Sequence, residues 1–194
     1  KGRDVVIIGG GDTGADCLGT ALRQGARSVE QLEIFPRPPE ERTADMPWPE
    51  DPRTLRTSSS HEEGGNRRWC INTRRFLTEN GQVTGLECET VRWEQDDDSR
   101  TMQMKPDSDP FVLPAQLVLL AMGFVHPEHG GLLDELGVDY DRRGNVKTNP
   151  QGTATSVQGM FAAGDAQTGA RLVVDAIDSG RQMAADIDVY LWSD

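Results

Sequence analysis

Val5-Val6-Ile7-Ile8 is an unbroken apolar run, the pattern of a strand buried on both faces. It gives way to Gly9-Gly10-Gly11-Asp12-Thr13-Gly14 and then to an amphipathic stretch, Ala15 to Gln24. That stretch predicts a helix, with Gly25 as its stop. Val29 to Phe35 predicts a second strand. Strand, helix and strand in this length predict one mononucleotide-binding half of a doubly wound α/β fold.

The pattern then changes. Residues 36–66 carry six prolines and the run Thr57-Ser58-Ser59-Ser60-His61-Glu62-Glu63-Gly64-Gly65, which predict a long functional loop. From 67 to 113 the reading is antiparallel. Trp69 to Leu77 and Val83 to Trp93 flank Asn80-Gly81, a hairpin signal; Asp96 to Ser99 predicts a second turn and Thr101 to Lys105 a third strand. Leu117 to Ala121 predicts a short strand buried on both faces. Residues 124–158 read as loop with one or two helical turns at Leu132 to Leu136 and a turn at Asp141 to Gly144. Met160 to Ala163 predicts a last short strand, ending at Gly164-Asp165. Ala170 to Leu191 then shows a helical apolar stripe, in which Gly180 predicts a close packing contact.

Chemistry concentrates at the first turn. G-x-G-x-x-G between a strand and a helix is a dinucleotide fingerprint. Gly9 suits the tight turn, Gly11 the approach of a pyrophosphate, and Gly14 close packing of helix on strand. Gly10, Asp12 and Thr13 complete the loop, and the helix start presents N–H groups to the phosphates. No acid is expected at the tip of the second strand, because Glu33 falls within it and Glu40 beyond Arg37. Arg37 first and Arg42 second are therefore the expected partners of a 2′-phosphate, which points to NADP rather than NAD. Asp165 at a strand end suits sugar or ribityl hydroxyls. His126 and His129 are read as structural.

The net charge of −12 over 194 residues argues against broad binding of nucleic acid or anionic membrane. Three separated cysteines without C-x-x-C give no metal-site spacing and suit a reduced, cytoplasmic setting. No apolar run is long enough to span a bilayer. The start at Lys1-Gly2-Arg3 is expected to be a cut within a longer protein.

Five segments together carry a resemblance: residues 9–14, Pro36 to Arg42, Thr57 to Gly65, Ala121-Met122-Gly123-Phe124, and Gly159 to Asp165. Over essentially its whole length the chain resembles the small (beta) subunits of bacterial NADPH-dependent glutamate synthases. These belong to the two-dinucleotide-binding flavoproteins. The Ser-Ser-Ser-His-Glu-Glu-Gly-Gly stretch is the most specific piece.

The resemblance implies an α/β architecture: a Rossmann-like three-layer NADPH-binding domain with an antiparallel β-meander (residues 1–122), then the C-terminal remnant of a split FAD-binding domain (residues 123–194). The small hydroxyls and paired glycines of residues 57–65 suit a loop that closes over a polar ligand, with Ser59 and His61 as candidate nucleotide contacts. By the resemblance, Gly123, Gly164 and Asp165 fall to FAD, with Asp165 on the ribityl chain. It also implies hydride transfer from NADPH to FAD, with iron–sulfur clusters and a glutamate synthase large subunit as partners of the full-length protein. Hydride transfer between cofactors asks for positioning rather than acid–base groups, so no catalytic residue is assigned. The family's first fingerprint and its cluster cysteines do not occur in the chain. The chain alone is thus expected to lack FAD and to self-associate through uncovered apolar surface. Two alternatives remain open: a related reductase of the ferredoxin-NADP type with another acceptor, and a nucleotide-binding module inactive by itself.

Overall fold

The structure is a computed structural model and describes residues 1–49, 52–96 and 101–193. Of the turn expected at Asp96 to Ser99, the residues Asp97, Asp98 and Ser99 lie outside the described residues. The chain divides into two compact units, Lys1–Met122 and Gly123–Asp194.

The first unit is built on a four-stranded parallel sheet. Its strands are β1 (Asp4–Ile8), β2 (Ser28–Leu32), β3 (Asn66–Arg68) and β8 (Leu117–Leu120), in the order β3-β2-β1-β8. The run Val5 to Ile8 serves both faces in alternation. Val5 and Ile7 pack with Leu18 and Ala21 of helix α1 (Asp12–Arg23), while Val6 packs with Leu32, Leu86, Cys88 and Leu113. The latter group joins the parallel sheet to an antiparallel one, made of β4 (Ile71–Glu79), β5 (Gln82–Gln95), β6 (Met102–Pro106) and β7 (Phe111–Pro114). Helix, parallel sheet and antiparallel sheet are the three expected layers. Asn80 and Gly81 turn between β4 and β5 with φ of +50° and +75°, as a two-residue hairpin turn of this hand requires.

Two expectations for this unit are corrected. β2 stops at Leu32, three residues before Phe35, so Glu33 stands beyond the strand end. β8 lies at the sheet edge, and Leu117 and Leu120 are 37% and 63% exposed rather than covered on both faces.

The second unit contains α3 (Leu132–Leu136), the one-turn α4 (Asp165–Thr168) and α5 (Val173–Leu191). Its loops are tied by isolated bridges, Tyr140 with Val146, Thr148 with Thr155 and Ala154 with Phe161. The strand expected at Met160 to Ala163 is reduced to the last of these, since among the described residues no strand pairs with it further. α5 is anchored at Asp186, whose carboxylate accepts from the Thr153 N–H (2.8 Å) and hydroxyl (2.7 Å). Tyr190 meets Phe161 edge-on at 5.6 Å. The apolar stripe of α5 is otherwise unburied, and Gly180 has nothing within 4 Å of the position of a Cβ. The expected close packing at Gly180 is thus overturned. No described helix is long and apolar enough to cross a membrane.

Candidate dinucleotide site

The fingerprint glycines have three different reasons to be glycine. Gly9 has φ +128°, and a Cβ there would overlap the carbonyl of Ala121, the residue after β8. Gly14 lies where α1 crosses β1; its Cβ would overlap the Gly9 carbonyl and come within 2.5 Å of Gln31 Nε2. Gly11 is different. It is exposed, its φ of −80° suits any residue, and nothing lies within 4 Å of a Cβ built on it. Chain packing therefore gives no reason for glycine at 11, and an approaching ligand does. Gly11 is also the N-cap of α1, without a side-chain cap, so the helix start is left to an external acceptor. Asp12 and Thr13 are exposed in its first turn.

Behind the loop runs a chain of hydrogen bonds. The Ser58 N–H donates to His61 Nδ1 (3.1 Å), which makes Nδ1 the acceptor of the neutral ring. Nε2 then donates to Gln31 Oε1 (3.0 Å), and Gln31 Nε2 donates to the Gly9 carbonyl (2.9 Å). Gln31 is 2% exposed, so both ends of its amide need these partners. Burial first, and the nearby Arg67 charge second, hold the His61 imidazole below its ordinary pKa. His61 thus supports the fingerprint from behind.

The Thr57 to Gly65 stretch is the site's wall rather than an open flap. It contains the short helix α2 (Ser59–Glu62), docked on α1. Ser60 is buried, and its hydroxyl lies 2.8 Å from where a Cβ on Gly19 would stand. Ser59 is exposed at the start of this turn.

The strand tip holds the main surprise. The Glu33 carboxylate accepts from the Gly10 N–H (2.8 Å) and the Phe35 N–H (3.1 Å). An acid therefore does stand at the tip, joined to the fingerprint itself. The misplaced strand end concealed it in the sequence.

The arginines also differ from expectation. Arg37 is half-exposed and paired with Glu40 at 2.9 Å. Arg42 donates to the Met46 carbonyl of its own loop (2.7 Å). Two residues that sequence reasoning passed over stand beside Arg37: Trp69, with the Arg37 Cζ 5.6 Å from its ring centroid, and Arg67 of β3, at 5.1 Å from the same ring. Their signal was the Arg67-Arg68-Trp69 run one residue after the Gly64-Gly65 pair.

In the second unit Gly164 carries φ +61° and donates its N–H to Ser179 Oγ (2.9 Å). Asp165 is exposed at the first position of α4, and Gly123 is exposed at the start of the unit. Asn145 is 2% exposed, and its Oδ1 has no hydrogen-bond partner. Gly169 lies beside it, its Cβ position 3.7 Å from that oxygen.

A parallel sheet, a glycine fingerprint at its first strand-to-helix turn and an antiparallel layer behind define a dinucleotide-binding α/β protein. Residues 72–180, more than half of the chain, match the profile described as pyridine nucleotide-disulphide oxidoreductase, and the chain belongs to that family. It is 50% identical, over 98% of its length, to the glutamate synthase [NADPH] small chain of Mycobacterium tuberculosis, of which it spans 38%. It is 42% identical over 97% of its length to the glutamate synthase [NADH] of Schizosaccharomyces pombe, of which it spans 9%. Among solved structures, thioredoxin reductase of T. acidophilum superposes with a TM-score of 0.63 at 21% identity, covering all of this chain and 53% of that one. That likeness is one of fold. The chain spans well under half the length of the glutamate synthase relatives.

Proposed function

We propose that the first unit binds NADPH and that the longer protein to which this chain corresponds passes its hydride to FAD, supplying electrons for glutamate synthesis from glutamine and 2-oxoglutarate. The observation that carries the nucleotide reading is Gly11, a glycine with open space where only a ligand gives a reason for the missing side chain. Gly9, Gly10, Gly11 and Gly14 would cradle the diphosphate. Asp12 and Thr13, at the uncapped start of α1, would flank it. Identity of 50% to a glutamate synthase [NADPH] small chain supports the overall activity.

When bound, NADPH would supply a hydride that FAD would accept, and the protein's part would be binding and orientation rather than acid–base chemistry. Asp165 suits the ribityl hydroxyls, and the orphaned Asn145 oxygen is a buried acceptor with no partner in this chain. Glu33 pulls toward NADH, since an acid at this tip can take a ribose 2′-hydroxyl, and so does the 42% identity to a glutamate synthase [NADH]. The Glu33 carboxylate is already engaged by two backbone N–H groups, so we favour NADPH. A large subunit is the expected partner, as the words small chain in the relative's name imply, and the cytoplasm is the expected compartment, since three free, separated cysteines suit a reduced setting.

Calorimetric titration of the chain with NADPH and NADH tests the reading. Saturable one-to-one binding of NADPH is expected. Binding of neither nucleotide would overturn it.

A further inference from the structure

Arg67 and Arg37 flank one indole, and their setting differs from that of the other arginines of the first unit. Arg67 lies on β3 in register with Gln31 of β2. Residues in register on paired strands project from the same face of a sheet. Gln31 projects toward the fingerprint, since it bonds the Gly9 carbonyl, so Arg67 leaves the sheet on the fingerprint's face, one strand further out. That is where the ribose end of a dinucleotide lies when its diphosphate sits on the glycine loop.

The charges around Arg67 are unbalanced. Its guanidinium stacks on Trp69, and its polar contact is the Thr57 hydroxyl at 3.5 Å. Among the described residues no carboxylate is paired with it. Burial first and the Arg37 charge second push its pKa below the ordinary guanidinium value. Arg37 has Glu40, but that pair is exposed, with side chains 51% and 74% accessible, and exposed pairs are weak and readily exchanged. Two cations held against one indole, one of them without a carboxylate partner among the described residues, form a receptor for a compact dianion. Guanidinium forks fit phosphate oxygens in pairs. Trp69 fixes both forks in advance, which lowers the ordering cost of binding.

Building on the proposed nucleotide site, we infer that Arg67 and Arg37, braced by Trp69, hold the 2′-phosphate of the coenzyme, and that Arg42 does not. Arg42 is bonded to its own loop. Selection against NADH then comes from the charge-assisted contacts to the 2′-phosphate that NADH cannot make. Glu33 takes no part in it beyond shaping the loop at Gly10.

The test uses the 194-residue chain and four probes: NADPH, NADH, 2′,5′-ADP and 5′-AMP. Arg67→Gln should weaken NADPH and 2′,5′-ADP roughly ten- to hundredfold, the range of one charge-assisted contact. NADH and 5′-AMP should stay within about threefold, less than a single such contact is worth. Arg67→Lys should recover part of the loss, and Arg42→Gln should change no ratio. If wild type binds both nucleotides and Arg67→Gln leaves their ratio unchanged, the inference is overturned while the nucleotide site stands. Equal weakening of all four probes would also overturn it, making Arg67 a structural residue. If wild type binds none of the probes, the site itself is misread and the inference goes with it. A measurement free of variants covers a misfolded substitution: the 31P signal of the 2′-phosphate in bound 2′,5′-ADP should titrate at lower pH than in the free nucleotide, as two nearby cations demand. An unshifted titration would count against the clamp.

Discussion

At the scale of single residues, Gly11 and Gly14 separate ligand from fold. Both belong to one six-residue fingerprint, yet only Gly14 is packed against backbone. Gly14→Ala should destabilise the chain by about 1–3 kcal/mol, the usual cost of forcing a methyl into a filled space. Gly11→Ala should leave the thermal midpoint within a few degrees, because its backbone angles suit alanine and the space is open. It should still weaken NADPH about tenfold or more, about 1.4 kcal/mol. Thermal unfolding and calorimetric titration of the two variants check both halves. Wild-type affinity in Gly11→Ala would remove the main support for a phosphate there. The spacing showed which residues form the loop. It did not show that Glu33 joins them, since a strand end misjudged by three residues turns a loop ligand into a strand residue. Arg67 was hidden for a related reason: β3 is only three residues long, too short to show an alternation, and its place beside β2 arises from tertiary pairing.

At the scale of elements, the parallel sheet and the meander were legible because both rest on local signals, apolar runs ending in glycine and an Asn-Gly turn. The 57–65 segment was legible as distinctive but not as docked. Its role depends on Ser60 fitting over Gly19, 41 positions away. Two measurements follow from that docking. Amide exchange across residues 57–65 should be slow with or without NADPH, since the segment rests on α1 through a buried residue. Fast exchange that slows only on adding nucleotide would restore the lid. The other measurement concerns His61. Its pKa is depressed from 6.5, so the unfolded chain takes up a proton first as pH falls. The contribution of neutral His61 is fully present above pH 6.5 and is lost as pH drops toward the lowered folded value. The thermal midpoint of wild type should therefore fall more steeply from pH 7.5 to 5.5 than that of His61→Gln. Parallel profiles would mean that the Ser58–His61–Gln31 chain adds nothing.

At the scale of the whole molecule, the two units differ in how completely they cover themselves. The first encloses two apolar clusters, one on each face of its parallel sheet. The second carries a 19-residue helix in which no residue is buried. Leu172, Val173, Val174 and Ile177 at its start are all more than half exposed, and Trp192 just past its end is 83% exposed. The sequence stripe predicted an amphipathic helix correctly but could not reveal that the second unit leaves it uncovered. G-x-G-x-x-G occurs once in the sequence, and the open glycine of that loop belongs to the nucleotide site proposed above. The second unit offers Asp165 and Asn145 to a flavin but no comparable diphosphate cradle. Flavin affinity in such folds draws heavily on the diphosphate, so the 194-residue chain should purify without stoichiometric FAD and show no flavin absorbance bands. Its uncovered helix should bind a hydrophobic dye such as ANS and promote concentration-dependent association. Replacing Val173, Val174 and Ile177 together by polar residues should reduce both while leaving NADPH binding unchanged, since the nucleotide residues all lie in the first unit. A yellow preparation holding one FAD per chain would show that Gly9 to Gly14 serves the flavin and would reverse the assignment of the two units.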